Sequence, residues 1–293
     1  MNAMELVRLA PLMQRSTGRA EIGVALIDGP VLISSPSLWG TNIRQMKSEI
    51  PSRCTEPSSN ACKHGTRVAS ILAARRGSHA PAICPDCTLL IRTVFSEKSK
   101  SVGEIPKASA GELAQAILDA VQSRARVINL SLTVAATSTR DKNELEDAIS
   151  YAATSGVIVA VAAGNQREVG GSLLSSHPWP IPVAGSDWRG QPTVTTNLGR
   201  SIGRHGLRGP SENIPSFGPN GQVETFSGTS AAVPFVSGTI ALLWSEFPAA
   251  SASAVKLAIM GAEQSARRAI VPPLLDAQAA YEAMVNSSGR KAL

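Results

Sequence analysis

Three side chains along this 293-residue sequence could together carry out nucleophilic catalysis. Asp28 ends an apolar run, His64 stands at the start of a predicted helix, and Ser230 stands at the start of another. A serine hydroxyl is a weak nucleophile until a neighbouring base accepts its proton, and a third group must orient that base. The set therefore predicts Ser230 as nucleophile, His64 as general base and Asp28 as the orienting carboxylate.

Each of these residues also has an ordinary structural explanation. Asp28 could cap a turn, a lone histidine is usually structural, and Ser230 could do no more than cap its helix. Asn165, at the end of an apolar run, could be a turn residue, but its amide could also donate to an oxyanion. The order Asp, His, Ser is one of the orders in which such triads occur, and the four features together favour catalysis. The remaining histidines lie in loop sequence and are interpreted as structural or exposed: His79, His177 and His205.

The elements that must position these residues alternate between apolar strands and helices. Strands are predicted at 22–27, 88–94, 127–132 and 157–161, and helices at 64–74, 110–123, 144–154, 229–247, 252–262 and 276–284; a further short strand at 181–184 is predicted beside the sheet. Nearly continuous apolar strands separated by helices indicate an α/β fold with a parallel sheet covered on both faces. The carboxyl ends of the strands, and hence the site, then share one edge. Residues 166–228 are rich in Gly, Pro and Ser and are predicted to form loops and hairpins beside the sheet. Pro234 should be tolerated as one of the early residues of its helix, whose N–H groups lack intrahelical partners.

Composition excludes several classes of protein. A hydrophobic content of 43% with 17% charged residues excludes a disordered chain, and a net charge of +6 without dense basic clusters excludes a nucleic-acid binder. No run of about 18 apolar residues could span a membrane. Residues 1–20 contain no apolar stretch typical of a secretion signal, so a cytoplasmic location is expected. Composition gives no prediction of the oligomeric state.

Four cysteines, Cys54, Cys62, Cys84 and Cys87, raise the question of a metal site. The spacing of Cys84 and Cys87 could supply two zinc ligands. The predicted helix between the two pairs is about 15 Å long, too long for one ion to reach both. Local disulfides or free thiols are favoured, with Cys54–Cys62 the better disulfide candidate. No metal and no cofactor are expected.

The motifs around the triad resemble those of the subtilase family over roughly residues 20–265. His64-Gly-Thr is similar to the family's histidine motif, and Gly228-Thr-Ser230 with Pro234 and Gly238 is similar to its serine motif. The resemblance implies a subtilisin-like three-layer fold, a triad of Asp28, His64 and Ser230, and an oxyanion site made by Asn165 and the Ser230 backbone N–H. It also implies an N-terminal extension at 1–20, a peptidase domain at 21–265 and a helical tail at 266–293 packed on that domain. The substrate-binding residues that it implies are Ser101, Val102, Gly103, Ser131, Leu132, Thr133, Gly164 and Thr229.

A narrower resemblance is to the proteases that mature cyanobactin-type ribosomal peptides. It is carried by the segments 25–31, 62–66 and 80–87. It implies a selective protease that cleaves a precursor peptide. Members that join peptide ends carry a helical insertion between the Asp and His motifs, and the short gap between Asp28 and His64 leaves no room for one, which favours hydrolysis.

The sequence departs from the family pattern at two places, and two alternative functions stay open. Thr133 to Ala136 replace a glycine pair after Leu132, which predicts restricted specificity, and Phe235 replaces a common histidine, which is interpreted as packing. The alternatives are a transpeptidase or macrocyclase that uses the same triad, and a catalytically silent subtilase that only binds peptides.

Overall fold

The computed structural model of the chain describes residues 2–48, 50–97, 107–134, 139–261 and 268–289. The strands are β1 (Gly23–Asp28), β2 (Ile43–Gln45), β3 (Thr88–Thr93), β4 (Lys107–Ala108), β5 (Ala125–Leu130), β6 (Thr133–Val134), β7 (Ile158–Ala162), β8 (Ile181–Ser186), β9 (Leu207–Pro210), β10 (Ile214–Phe217) and β11 (Val223–Phe226). The α-helices are α1 (Ala3–Leu6), α2 (Ala10–Arg15), α3 (Asn60–Ala73), α4 (Ala110–Gln122), α5 (Thr139–Thr154), α6 (Leu173–Ser176), α7 (Arg200–His205), α8 (Thr229–Glu246), α9 (Ala252–Met260) and α10 (Ala277–Ser287).

Seven strands form one central sheet in the order β2-β3-β1-β5-β7-β8-β9, and every neighbouring pair is parallel. Alternate side chains of β1 enter two different cores, because successive residues of a strand point to opposite faces. Val24 and Leu26 join a core that includes α3 and α8. Ala25 and Ile27 join a second core that includes α4 and α5. This mostly parallel sheet with helices on both faces confirms the predicted three-layer α/β fold.

The prediction for residues 166–228 was wrong in part. Strands β8 and β9 extend the central sheet, and only β10 and β11 form a separate antiparallel hairpin. The signal for β9 was weak because its four residues, Leu207 to Pro210, include an arginine, a glycine and a proline. Pairing with β8 along its whole length supplies the order that its composition does not.

Pro234 is the sixth residue of α8, so the explanation offered from the sequence was wrong. A residue at that position normally donates its N–H to the carbonyl four residues earlier, which here is that of Ser230. Proline has no N–H. The Ser131 hydroxyl donates to the Ser230 carbonyl instead, at 3.3 Å, and so replaces the missing helical hydrogen bond.

The two ends of the described chain pack on the sheet domain. Val7, Leu9 and Leu12 are fully buried in the core that includes α8. Helix α10 lies against α9 and α2, and Phe247 contacts Tyr281 of α10 at a ring distance of 5.6 Å. The boundaries at 1–20, 21–265 and 266–293 stay predictions. None of the described helices is both long and apolar enough to cross a bilayer.

Candidate active site

Three adjacent strands, β1, β5 and β7, end side by side beneath the start of α8. Asp28 is the last residue of β1, Ser131 follows β5, and Gly164 comes two residues after β7. Hydrogen bonds attach the first turn of α8 to two of these ends. The Ser230 hydroxyl donates to the Ser131 carbonyl at 3.1 Å, and the Gly164 N–H donates to the Thr229 hydroxyl at 3.3 Å. The strand ends and α8 therefore bring four of the predicted site positions together.

A buried hydrogen bond of 2.6 Å joins Asp28 Oδ1 to His64 Nδ1. The same carboxylate oxygen accepts from the Gly29 N–H at 2.6 Å. Asp28 is completely buried and His64 is 8% exposed, so the carboxylate needs these partners. This contact holds the imidazole in one orientation and favours the tautomer with its proton on Nδ1.

Helix α3 begins at Asn60, earlier than predicted, so His64 lies in its second turn. The Ser59 hydroxyl caps the helix by accepting from the Cys62 N–H at 3.1 Å. Gly65 lets α3 approach the chain that follows β1, because a Cβ there would lie 2.5 Å from the Gly29 carbonyl oxygen. Close backbone contact at this glycine is what places His64 against Asp28.

The other ring nitrogen of His64, Nε2, is buried and has no hydrogen-bond partner among the described residues. The edge of the ring packs on Phe226 at 5.3 Å, with the two planes 87° apart. Phe226 ends β11, four residues before Ser230. The Ser230 hydroxyl points to the Ser131 carbonyl in this state of the protein. Catalytic hydrogen bonds often tighten only when substrate binds, so this geometry is compatible with proton transfer from Ser230 to His64.

The side chain of Asn165 is oriented by the first residue of α8. The Thr229 N–H donates to Asn165 Oδ1 at 2.9 Å, which leaves the amide nitrogen Nδ2 as a donor. A Cβ at Gly228 would lie 3.1 Å from this nitrogen, and Gly228 has a φ of +105°, which favours glycine. Within the described parts of the chain, neither Asn165 Nδ2 nor the Ser230 N–H has a hydrogen-bond acceptor. Both are therefore available to an anion at the positive end of the α8 dipole.

Sequence reasoning missed a buried polar network beneath Ser230. Asn129 Nδ2 donates to the Ser131 hydroxyl at 2.9 Å, and the Ser237 hydroxyl donates to Asn129 Oδ1 at 2.8 Å. All three side chains are completely buried. A signal was present, since Ser237 lies two helical turns after Ser230 in a mostly apolar helix, and Asn129 interrupts an apolar strand.

The remaining predicted substrate-binding residues fall into two groups, those that the structure describes and those that lie outside the described residues. Leu132 is buried at 3% exposure, and the backbone of Thr133 begins β6, which pairs in parallel with β4. Among the described residues β6 pairs with no other strand. The predicted residues Ser101, Val102 and Gly103 lie outside the described residues.

The cysteines are divided into one disulfide and two free thiols. Cys54 and Cys62 are bonded to each other. Cys84 and Cys87 are buried thiols, and the hydrogen bond between them raises the pKa of Cys84 and lowers that of Cys87. The described chain contains a group of possible metal ligands made of Cys54, Cys62 and Glu97. It does not suit a cation, since its two sulfurs are bonded to each other.

The third member of that group, the Glu97 carboxylate, already accepts hydrogen bonds. The backbone N–H groups of Thr55 and Glu56 donate to it at about 3 Å, as does the Thr55 hydroxyl at 2.5 Å. Partial burial acts to raise the pKa of Glu97, but these hydrogen bonds outweigh it and lower the pKa. Glu97 thus stabilises the loop that the Cys54–Cys62 disulfide closes.

Comparison with known proteins places this site in a family. A model described as the subtilase family matches residues 20–274. The chain belongs to the subtilase family. It is 30% identical over 234 residues to subtilisin amylosacchariticus of Bacillus subtilis subsp. amylosacchariticus, covering 78% of this chain and 57% of that relative. It is equally similar to a subtilisin of Bacillus pumilus, with 78% of each covered. The chain thus spans only a little over half the length of several curated subtilases that it matches.

Solved structures of cyanobactin-type proteases also match this subtilase. A mutant of the protease domain of PatA is 28% identical, with a TM-score of 0.80 over 92% of this chain and 97% of that domain. The prenylagaramide maturation protease PagA is 28% identical, with a TM-score of 0.79 over 94% and 98%. The PatG macrocyclase domain, at 19% identity and a TM-score of 0.80, shares the fold. These matches confirm the narrower resemblance seen in the sequence.

Proposed function

We propose that this subtilase is a serine endopeptidase that hydrolyses a peptide bond through an acyl-enzyme. The observation that carries the proposal is the buried Asp28–His64 hydrogen bond of 2.6 Å, with His64 Nε2 left without a partner in the described chain. A histidine held in this way is ready to accept a proton on Nε2. The hydroxyl that we propose as the source of that proton is that of Ser230, which donates to the Ser131 carbonyl after the adjacent strand β5.

In this mechanism the Ser230 Oγ attacks the peptide carbonyl while its proton moves to His64 Nε2. Asp28 stabilises the imidazolium through Nδ1. The oxyanion accepts hydrogen bonds from Asn165 Nδ2 and the Ser230 N–H, and the α8 dipole favours the negative charge there. His64 then returns the proton to the leaving amine, and water releases the acyl group from Ser230.

The substrate that we propose is a ribosomal precursor peptide, from which the enzyme removes a leader. Support comes from PatA and PagA, which are described as patellamide and prenylagaramide maturation proteases. Such a peptide is made in the cytoplasm, and we propose that the enzyme acts there. The backbone edge of β6 would bind the peptide as an added strand, in which main-chain hydrogen bonds give affinity and side-chain pockets give selectivity.

Hydrolysis is favoured over transpeptidation by the segment between Asp28 and His64. Its described residues hold a single turn of 3-10 helix at Pro36–Leu38, the short strand β2 and the first residues of α3, with no added helical domain. The two reactions differ in the mass of their products, because hydrolysis adds one water and ligation or cyclisation adds none.

The first test is labelling of intact protein with a fluorophosphonate, read by mass spectrometry. We expect one adduct on the wild type and none on Ser230→Ala, with His64→Ala labelled far more slowly. Asn165→Ala should keep its fold and lose about 100- to 1000-fold in kcat. Folded wild-type protein that takes up no label would instead favour the silent peptide-binding subtilase.

The maturation role has a separate test, the breadth of cleavage. A peptide library made from a digested proteome should be cut at few sites that share a motif, and unfolded casein should survive. Broad digestion of both would contradict a maturation protease while leaving the serine mechanism intact. Fractionation of cells that express the native gene tests the cytoplasmic location.

A further inference from the structure

An open cavity of about 470 Å³ is formed by the segment that joins Asp28 to His64 and has no part in the mechanism above. It is lined by Leu32, Ile33, Ser34, Gln45 and Arg53. The lining therefore combines two apolar side chains, two neutral polar side chains and one cation.

One wall of the cavity is attached to α3 next to His64. The Leu32 N–H donates to the Thr66 hydroxyl at 3.0 Å, and Thr66 follows His64 by two residues. Thr66 is completely buried, so this contact is part of the rigid core of the helix. Leu32 is itself only four residues after Asp28, so this wall follows directly from the end of β1.

A second wall, which carries Arg53, is linked to α3 on the N-terminal side of His64. Arg53 forms a parallel bridge with Val31, and the next residue, Cys54, is bonded to Cys62, two residues before His64. Both walls are thus anchored within two residues of His64 along α3.

Among the described residues that line the cavity, Arg53 is the only charged one, and its side chain is exposed. It forms no ion pair with any described residue, in contrast to Arg67, which pairs with Glu224, and Arg92, which pairs with Glu112 and Asp119. The surrounding sequence adds positive charge. Residues 44–53 contain three cations, Arg44, Lys47 and Arg53, and one carboxylate, Glu49.

We propose that this cavity is a specificity subsite for an acidic side chain of the peptide substrate, bound by Arg53. The inference rests on the proposed function. The guanidinium presents paired N–H donors that match the two oxygens of a carboxylate. Ser34 and Gln45 supply further donors, and Leu32 and Ile33 contact the methylene groups of a glutamate. A lysine or arginine of the substrate would be repelled.

The test uses decapeptides with both termini blocked, so that a carboxylate can come only from a side chain. The position of one Glu, Gln or Lys is varied through the peptide, and kcat/KM is measured for each. Wild type should prefer Glu to Gln by about tenfold at one position and reject Lys there. Arg53→Gln should remove the preference, Arg53→Glu should reverse it towards Lys, and the control Arg268→Gln, another exposed arginine, should leave it unchanged.

A binding measurement separates failure of this inference from failure of the proposed function. Fluorescence anisotropy with Ser230→Ala, and with the double variant that adds Arg53→Gln, compares labelled Glu and Gln peptides. Tighter binding of the Glu peptide that is lost with Arg53→Gln supports the subsite, whether or not the wild type cleaves. Cleavage or binding that is indifferent to Glu at every position, or a Glu preference that survives both Arg53 variants, would overturn it. A circular dichroism spectrum and a thermal unfolding midpoint that match those of the wild type show that Arg53→Gln is folded.

Discussion

Replacing Ser131 by alanine tests how the protein accommodates a proline inside α8. The Ser131 hydroxyl donates to the Ser230 carbonyl and accepts from Asn129 Nδ2, so the change leaves both of these buried groups without that partner. An unsatisfied buried polar group costs about 1–3 kcal/mol. We therefore expect the free energy of unfolding to fall by about 2–4 kcal/mol.

The assay is guanidinium chloride unfolding in a Ser230→Ala background, which excludes self-cleavage and leaves the residue 230 carbonyl in place. Ser245→Ala is the matched control. Ser245 is also completely buried in α8. Its hydroxyl donates to the Ala241 carbonyl, which keeps its normal helical N–H partner, and also makes a long contact of 4.0 Å with Cys87 Sγ. This control should lose less than about 1 kcal/mol.

A second substitution makes the test specific to Pro234. Pro234→Ala supplies an N–H to the residue 230 carbonyl, so it should be more stabilising, by about 1 kcal/mol, when Ser131 is alanine than when Ser131 is present. The double-mutant cycle cancels effects of proline on the unfolded chain. Equal losses for Ser131→Ala and Ser245→Ala, together with no coupling to Pro234→Ala, would refute the argument that Ser131 replaces the missing N–H.

Two further predictions concern the disulfide and a buried lysine. Reduction of the disulfide between Cys54 and Cys62, which are eight residues apart, should lower the free energy of unfolding by about 2.5 kcal/mol, as measured by denaturant titration. If the reductant lowers the stability of the variant Cys54→Ala/Cys62→Ala by the same amount, the prediction is contradicted. Burial lowers the pKa of Lys256 to about 8, so the unfolded chain binds more protons than the folded protein between that pH and the ordinary lysine value of 10.5. The free energy of unfolding of the wild type, relative to that of Lys256→Met, should therefore rise as pH increases through this window. A difference that stays constant across the window would show that burial does not lower the pKa of this amine.

The four catalytic candidates were visible in the sequence because each stands where an element changes. Asp28 and Asn165 follow apolar runs, where a polar residue needs a reason, and Ser230 stands among several hydroxyls at a helix start. Periodicity also predicted most of the central strands to within about three residues. Their roles in catalysis stay proposals until the labelling experiment is done.

Features that depend on contacts between distant segments were not predicted. The place of β9 in the sheet depends on pairing with β8, since its own composition is a poor strand signal. The prediction for Pro234 considered only its own helix, whereas the structure compensates through Ser131, 99 residues away from Ser230. The start of α3 at Asn60 was missed because its cap, Ser59, precedes the histidine motif from which the helix was predicted.

What the sequence by itself determined is the set of chemical groups and the class of fold, because apolar periodicity and residue type are local properties. Tertiary structure decided which groups meet. The parallel order β1-β5-β7 places Asp28, Ser131 and Gly164 at one edge, and the Gly65 contact brings α3 close enough for His64 to reach Asp28. It also decided that Val31 pairs with Arg53, a residue that lines a cavity in the segment between Asp28 and His64. Such pairings depend on the free energy of packing the whole chain, which cannot be predicted from any short stretch of the sequence.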